Sequence, residues 1–185
     1  LSIGSNTDYI RIPMTPISAS KLATALHFVL PTAKMCDDIY QRATFKLAPR
    51  PLTHDREKME SFRDHNDIIE EQFKTEQKLQ SAPVSSHPLT AGIKKDIIYT
   101  NRLSEKPDIV AIYGWHQLSG IPIQPVTIVH KSTYVDYSHG VRPIKETMLV
   151  DGKEMKVVDV LSDNILCKLL SDEGPITNKV SFYNQ

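Results

Sequence analysis

An apolar run at positions 109–113 constrains the fold more than any other stretch of the chain. It reads Ile-Val-Ala-Ile-Tyr, is rich in β-branched residues, and lies between a proline and a glycine. Such a run between turn residues is typical of a buried strand, which the sequence predicts over 108–115. Because strand side chains alternate between the faces of a sheet, we expect His116 to leave the strand end on a mostly aliphatic face. Gly114 on the same face would leave room beside its ring.

The residues around this strand predict further antiparallel strands. A turn over 117–120 connects it to a returning strand over 123–130, because the intervening residues are turn formers. A third strand is predicted over 133–137, followed by a turn at 138–140. Upstream, a strand over 95–100 is predicted to pair with the first one.

The first part of the chain predicts helices instead. A serine of the stretch 18–20 is suited to cap a helix that ends near Phe28, and Pro31 or Thr32 is suited to begin another. Thr53 is suited to begin a long charged helix that ends near Leu79 and lies on the surface of the core. Helices followed by hairpin-connected strands predict an α+β fold, with an antiparallel sheet in the C-terminal half packed by helices from the N-terminal half.

Length and charge limit the alternatives. With 185 residues and 40% hydrophobic content, the chain predicts a single α+β domain over 1–185. A Pro/Ser-rich stretch at 81–88 is either an internal boundary or a long surface loop. Lys and Arg number 22, as do Asp and Glu, so the balanced charge argues against nucleic-acid binding. No apolar run is long enough for a membrane span.

The chain start and the cysteines bear on location. The chain begins at Leu1 rather than Met, which indicates that a targeting segment is absent from this chain and leaves a secreted or periplasmic location open. Cys36 and Cys167 lie far apart without CxxC spacing. They are predicted to be buried thiols, and they do not define the redox compartment.

Side chains that move protons, bind metals or stack on rings are concentrated between positions 115 and 142. This stretch holds the only tryptophan and three of the seven histidines. The candidate catalytic residues are His116, His130, Asp136 and His139. The candidate substrate-binding residues are Trp115, Gln124, Tyr134, Tyr137 and Arg142.

We expect the three histidines of this stretch to converge. Each stands at or just beyond the end of a predicted strand, and neighbouring strands lie about 5 Å apart, so their ends are within reach of such side chains. The sequence therefore predicts that His116, His130 and His139 meet in one partly solvent-accessible cleft. Asp136 and Tyr134 are expected nearby.

Imidazoles and a carboxylate favour a hydrolase, by either of two routes. They are the ligands that a catalytic zinc ion uses, with one position left for water. Without a metal, the same groups serve as base, orienter and acid. The spacing matches neither HExxH nor HxH. The competing interpretation is structural, with His and Tyr groups that tie strand ends together through hydrogen bonds.

A second interpretation makes Cys36 the nucleophile. A helix that begins near Thr32 would place this thiol in its second turn, where the helix dipole lowers a thiol pKa. His130 or His139 would then be the base, in the chain order of papain-like and cell-wall cysteine hydrolases. The residues beside Cys36 lack the surroundings found in those enzymes, so a buried, inert thiol is the favoured prediction.

A third interpretation is a binding module without catalysis. The rings of Trp115, Tyr134 and Tyr137 would offer apolar faces to carbohydrate, while the polar candidates would bind hydroxyl groups. The same mixture suits a glycan-degrading enzyme. We therefore expect a hydrolase that acts on a bacterial cell-wall or other polymeric glycan, with a carbohydrate- or ligand-binding module as the alternative.

The other histidines and a pair of lysines are assigned no function. The histidines predicted to be incidental are His27, His54, His65 and His87. The Lys94-Lys95 pair is predicted to be a solvated strand start.

Four strings resemble those of a family of uncharacterised bacterial proteins. They are LPTAKM at 30–35, YGWH at 113–116, PIQP at 122–125 and YVDYSHGVR at 134–142. The resemblance covers most of the chain and implies a bacterial protein. It implies no particular reaction, so each predicted role rests on the chemistry of the residues.

Overall fold

The computed structural model describes residues 1–5, 7–79, 88–104, 106 and 108–177. The helices of this part are α1 (Pro16–Ala25), α2 (Ala33–Arg42), α3 (Met59–Leu79) and α4 (Val157–Ser162). Its strands are β1 (Ser2–Gly4), β2 (Tyr9–Arg11), β3 (Phe28–Val29), β4 (Phe45–Lys46), β5 (Thr90–Ala91), β6 (Lys95–Ile97), β7 (Ile112–His116), β8 (Pro122–Thr127), β9 (His139–Gly140), β10 (Ile144–Lys145), β11 (Thr147–Val150) and β12 (Lys153–Lys156). The predicted boundary at 81–88, apart from Pro88, lies outside the described residues, as does His87.

The central sheet has the strand order β8-β7-β6-β9. β7 pairs antiparallel with β6 and β8, whereas β9 pairs parallel with β6. Ala19 and Ala23 of α1 and Cys36 of α2 form one buried core with Ile97 and Ile112 of the sheet. The predicted α+β fold is confirmed. The sheet is mixed rather than wholly antiparallel, because β9 joins it parallel to β6.

The predicted third strand over 133–137 is wrong. The Tyr134 amide donates to the Lys131 carbonyl at 3.0 Å, which turns the chain. The Asp136 carboxylate accepts a hydrogen bond from the Ser138 amide at 2.8 Å. Local bonds of this kind compete with strand pairing. The residues predicted to form the following turn instead contain β9.

β7 begins at Ile112, later than predicted, and its last residues leave the regular pleat. Gly114 has a φ of +101° and Trp115 a φ of +55°. The register with β8 also shifts between Ile112 and Gly114. A positive φ at a bulky residue is an outlier that the surrounding structure must hold. The simple alternation expected from the sequence therefore fails near His116.

α3 begins at Met59, so the predicted helix start at Thr53 is wrong. Asp55 has a φ of +50°, which is incompatible with a right-handed helix. Its carbonyl accepts from the Lys58 amide at 3.0 Å and from Ser61 Oγ at 2.7 Å. The residues before α3 therefore form turns.

Several predicted elements are confirmed with small shifts at their ends. α2 follows Thr32, whose side chain accepts from the Met35 amide at 3.1 Å and caps the helix. The predicted turn at Asp151-Gly152 joins the antiparallel strands β11 and β12. Among the described helices, none is long and apolar enough to cross a membrane.

Candidate functional site

Two separate polar clusters take the place of the single predicted cleft. The His116 cluster consists of Asp37, Tyr40, Tyr113 and His116. The His139 cluster consists of Arg56, His130, Tyr134, Asp136, Ser138 and His139. The ring of His116 contacts two tyrosines of its own cluster, whereas His130 and His139 contact Tyr134 and each other. The predicted convergence of three histidines is therefore wrong for His116.

In the His116 cluster a carboxylate and two phenols hold one imidazole. His116 Nε2 lies 2.7 Å from Asp37 Oδ1, and the Tyr113 hydroxyl donates to the same oxygen at 2.8 Å. Tyr40 stacks on the imidazole, with ring centroids 4.6 Å apart and an interplanar angle of 17°. A carboxylate bonded to one ring nitrogen fixes the tautomer, so Nε2 carries the proton and Nδ1 remains an acceptor.

The unusual backbone at the end of β7 keeps one edge of this imidazole open. A Cβ added at Gly114 would lie 3.5 Å from His116 Cε1 and 3.6 Å from Nδ1. Because glycine has no Cβ, that space beside Nδ1 is unfilled. Trp115, with its positive φ, is buried in the opposite direction against Phe62 and Tyr137. The predicted room beside His116 at Gly114 is confirmed.

A cleft of about 390 Å³ reaches the His116 cluster. It is lined by Asp37, Tyr40, Gln41, Lys46, Tyr113, His116, Leu118, Ser119, Gly120 and Pro122. The Lys46 ammonium lies 5.1 Å from the centroid of the Tyr40 ring, a distance at which a cation and an aromatic ring attract each other. The Tyr40 hydroxyl donates to the Gln117 carbonyl at 2.5 Å and so anchors the turn after β7.

Burial and charge keep both phenols of this cluster protonated at neutral pH. Burial raises the pKa of Tyr40. Burial and the bond to the Asp37 carboxylate raise the pKa of Tyr113 well above its ordinary value. A phenol that stays protonated donates a hydrogen bond, so Tyr113 continues to hold the carboxylate that holds His116.

The His139 cluster is organised around a buried carboxylate. Asp136 is 1% exposed, and its Oδ1 accepts from the Ser138 amide at 2.8 Å and the Ser138 hydroxyl at 2.5 Å. Its Oδ2 accepts from Arg56 Nη2 at 2.7 Å and from the Tyr134 hydroxyl at 3.4 Å. Burial raises the pKa of Asp136, but the Ser138 bonds and nearby positive charge outweigh burial and lower it. Asp136 is therefore an anion at neutral pH.

The two imidazoles of the His139 cluster are held by packing. His130 stacks on Tyr134 with centroids 4.2 Å apart, and its centroid lies 6.3 Å from that of His139. His139 is 0% exposed, and both of its ring nitrogens lack a hydrogen-bond partner among the described residues. Burial lowers the pKa of His139 to about 4. Burial and the charge of Lys95 lower the pKa of His130. Both rings are therefore neutral at pH 7.

A second cleft, of about 540 Å³, reaches the edge of the His139 cluster. It is lined by Thr53, His54, Asp55, Arg56, Glu57, Lys58, His130 and Tyr134. His139 and Asp136 lie behind these residues and do not line the cleft.

The structure places the predicted substrate-binding residues in different environments. Trp115 is 3% exposed and Tyr137 is 0% exposed, so neither ring offers a free face and this prediction is wrong for both. Gln124 bonds to Thr127 of its own strand at 3.0 Å. Arg142 Nε donates to Asp96 at 3.1 Å. Tyr134 lines the second cleft, and Arg142 lines a third, separate cleft.

Geometry also bears on the predicted metal and on the predicted thiol nucleophile. Within the described residues, no three His, Cys, Asp or Glu side chains form a group that could hold a metal ion. Cys36 is 4% exposed, and burial together with Asp96 raises the pKa of its thiol well above the ordinary value. The favoured prediction of a buried thiol at Cys36 agrees with this environment.

The residues that the sequence missed lie far from the stretch at 115–142. Asp37 and Arg56 come from the helical half, where no motif marks them. Asp37 lies three positions before Tyr40 on α2, so helical spacing places an acid beside a buried ring. The prediction of a solvated Lys94-Lys95 pair is also wrong, because both side chains are buried. The prediction that His65 has no partner is wrong as well, because its Nδ1 lies 3.1 Å from Lys94 Nζ.

No protein-family model, curated protein or solved structure matches the chain. The resemblance to a bacterial family therefore stays a prediction. The function is inferred from the geometry of the two clusters.

Proposed function

We propose that the protein is a hydrolase in which His116 is the general base, acting on acyl bonds of a bacterial cell-wall or other polymeric glycan. The observation that carries this proposal is the 2.7 Å contact between Asp37 and His116 at the wall of a cleft. An imidazole oriented by a carboxylate is the base of many hydrolases. In the described part of the chain, His116 is the buried histidine with such a bond.

The proposed reaction begins with proton transfer from water to His116 Nδ1. Nε2 is bonded to Asp37, so Nδ1 is the nitrogen available to accept a proton. The resulting imidazolium is stabilised by the Asp37 carboxylate, which Tyr113 holds in place. A positioned base of this kind contributes roughly 10²–10⁴-fold to the rate. The same imidazolium then returns its proton to the leaving group.

Lys46 is suited to stabilise the transition state. Attack of water on an acyl carbon places negative charge on the carbonyl oxygen. Lys46 lines the same cleft as His116 and lies over the ring of Tyr40. Its ammonium group donates to the Gln41 carbonyl at 3.2 Å and would add positive charge to the wall of the cleft in which the oxyanion develops.

Acyl transfer suits these side chains better than cleavage of a glycosidic bond. Glycosidases ordinarily require a carboxylic acid whose pKa is raised, so that it can protonate the leaving oxygen. The described lining of the His116 cleft holds a single carboxylate, Asp37, which is bonded to His116 and Tyr113, whereas glycosidases ordinarily use a pair of carboxyl groups. The proposed bond is therefore an ester or amide carried by the glycan.

A groove that meets the cleft supports a polymeric substrate. The groove, about 850 Å³ in volume, runs between residues 48–52 and one side of α3. Leu118 lines both the groove and the His116 cleft. This side chain is 63% exposed and available for contact. A chain bound in the groove would place an attached acyl group near His116.

Purified protein should be tested against acetylated peptidoglycan and acetylated polysaccharides, with released acetate and amine as readouts. We expect activity to fall about 100-fold or more in His116→Ala and in Asp37→Ala. The first variant loses the general base, and the second loses the carboxylate that orients it. His54→Ala is the matched control, because its side chain is 82% exposed and contacts a different cleft. Absence of released product from every substrate would refute the proposal, as would full activity in His116→Ala.

A non-catalytic glycan-binding module is the second candidate function. The observation that favours it is the stacked Tyr134 and His130 pair at the wall of the second cleft. An aromatic ring of this kind can pack on a sugar face. Binding of soluble glycans by calorimetry, lost in Tyr134→Ala and unaccompanied by product release, would favour the module over the hydrolase.

A further inference from the structure

We propose that Lys94 is the reactive amine of a second site, which binds anionic carbonyl compounds and joins them through an imine. This site is distinct from the His116 cluster. It is formed by Lys94, which precedes β6, and by His65 of α3. It lies at a cleft separate from the one that reaches His116.

The environment of Lys94 is unusual for a lysine. The residue is 9% exposed. Its Nζ lies 3.1 Å from His65 Nδ1 and donates to the Tyr137 carbonyl. The His65 ring in turn meets Trp115 and Tyr137 edge-on, at centroid distances of 5.7 and 4.7 Å. Among the described residues, no carboxylate pairs with this amine.

Burial without a carboxylate favours the neutral amine. A buried ammonium ion without a counter-ion is costly, so the group sheds its proton more easily. Burial and the charge of Arg11 lower the pKa of Lys94 to about 7. Burial and the charge of Lys94 lower the pKa of His65 to about 3, so that ring is neutral. A neutral lysine amine is a nucleophile, as in enzymes that form Schiff bases.

A cleft of about 900 Å³ includes Lys94 in its wall. The charged side chains among its described lining residues are Arg11, Glu70, Lys74, Lys94, Asp96 and Arg142. Arg11 is paired with Glu70, and Arg142 Nε donates to Asp96 at 3.1 Å. These pairs hold the guanidinium groups in place, and Lys74 adds one further positive charge to the described lining. The cleft is therefore suited to a carbonyl compound that carries a carboxylate or a phosphate.

The proposed step balances without an oxidant or a reductant. The Lys94 nitrogen uses its lone pair to bond to the carbonyl carbon, and the carbonyl oxygen takes up a proton. This is the proton that the nitrogen loses, and it reaches the oxygen through solvent in the cleft. The carbinolamine then expels its oxygen as water, and a carbon–nitrogen double bond forms. The net change is amine plus carbonyl giving imine plus water.

Wild-type protein at pH 7 should be incubated with pyridoxal 5′-phosphate, which carries both an aldehyde and a phosphate, and then reduced with borohydride. Peptide mapping by mass spectrometry locates the trapped secondary amine. We expect Lys94 to be labelled about tenfold more than Lys58, because an exposed lysine is almost wholly protonated at this pH. Inorganic phosphate at high concentration should reduce labelling of Lys94 by competing for the cleft.

Two variants sharpen the result. Lys94→Arg should lose the preferred adduct, whereas Lys95→Arg should keep it, because Lys95 is a similarly buried neighbour that faces the His139 cluster. Because either variant could fail to fold, the wild-type peptide map alone decides the proposal. Labelling of exposed lysines only, or no adduct at Lys94, overturns it.

Discussion

The His116 and His139 clusters use the same kinds of side chain but differ in their contact with solvent. The Asp37 side chain is 38% exposed, and His116 lies at the wall of a cleft. Asp136 is 1% exposed and His139 is 0% exposed. A carboxylate and imidazole that reach a cleft can exchange protons with a substrate. When the same kinds of group are buried, their hydrogen bonds contribute to the stability of the folded protein instead.

The two carboxylates also differ in their hydrogen-bond partners. The Asp37 carboxylate orients one imidazole and leaves its Nδ1 edge open at Gly114. The Asp136 carboxylate accepts hydrogen bonds from Arg56, Tyr134 and Ser138, and so connects the turns before α3 to the segment before β9. Residue type alone therefore does not separate a reactive cluster from a structural one.

The largest effect on stability is expected from Asp136→Ala. This change leaves the buried Ser138 amide and hydroxyl without their acceptor, at about 1–3 kcal/mol for each group, and removes the partner of Arg56, whose side chain is 44% exposed. Urea denaturation measures the free energy of unfolding. Asp38→Ala is the control, because its side chain is 41% exposed and its helical pair with Lys34 stabilises by only a few tenths of a kcal/mol. Equal losses in both variants would remove the distinction between the clusters.

A similar loss is expected when the pH is lowered. The pKa of His139 is about 4 in the folded protein and 6.5 ordinarily. Between these values the unfolded chain binds a proton that the folded chain does not, so the free energy of unfolding falls as the pH falls from 6.5 to 4. At ~1.4 kcal/mol per pKa unit the loss is about 3 kcal/mol. Above pH 6.5 this contribution is complete.

Denaturation curves at a series of pH values test this expectation. His139→Phe should reduce the pH dependence in that window, while His54→Phe, an exposed control, should leave it unchanged. Some dependence should persist in His139→Phe, because burial also lowers the pKa of His65, to about 3. An unchanged slope in His139→Phe would show that this ring is protonated in the folded protein.

A smaller effect is expected from Gly114→Ala. The φ of +101° strains any residue with a Cβ, at about 1–3 kcal/mol, and the new methyl group would contact His116. Gly152→Ala provides a matched control, because φ is +79° there, nothing lies within 4 Å of an added Cβ, and the residue lies outside the described lining of the His116 cleft. If both variants lose similar stability but only Gly114→Ala loses hydrolysis, the open edge of His116 is needed for the reaction.

The smallest effect on stability is expected from Asp37→Asn. The side chain is partly exposed, so losing its charge should change the free energy of unfolding by about 1 kcal/mol or less. The same change should weaken catalysis strongly, because the amide no longer stabilises an imidazolium. Thermal unfolding and acetate release from one preparation test both statements. A loss of several kcal/mol would assign Asp37 to a structural role like that of Asp136.

The sequence predicted much of the fold and part of the candidate site. Apolar periodicity and capping residues indicated β7, α2 and the hairpin after β11, because those signals are local. The crowding of His130, Tyr134, Asp136 and His139 in one stretch also indicated that they would lie together. The predicted strand conformation of their segment was wrong. The hydrogen bonds between Asp136 and Ser138 turn the chain at a place where alternation alone predicted an extended strand.

The α+β class and the presence of reactive side chains near the end of β7 can be predicted from the sequence, because helix and strand periods are encoded in neighbouring residues. Which of those side chains meet depends on the tertiary structure. Asp37 reaches His116 across 79 positions of the chain, and Lys94 reaches His65 across 29. Burial, which separates Asp136 from Asp37 and lowers the pKa of Lys94, depends on how elements pack from distant parts of the chain, and no local pattern specifies it.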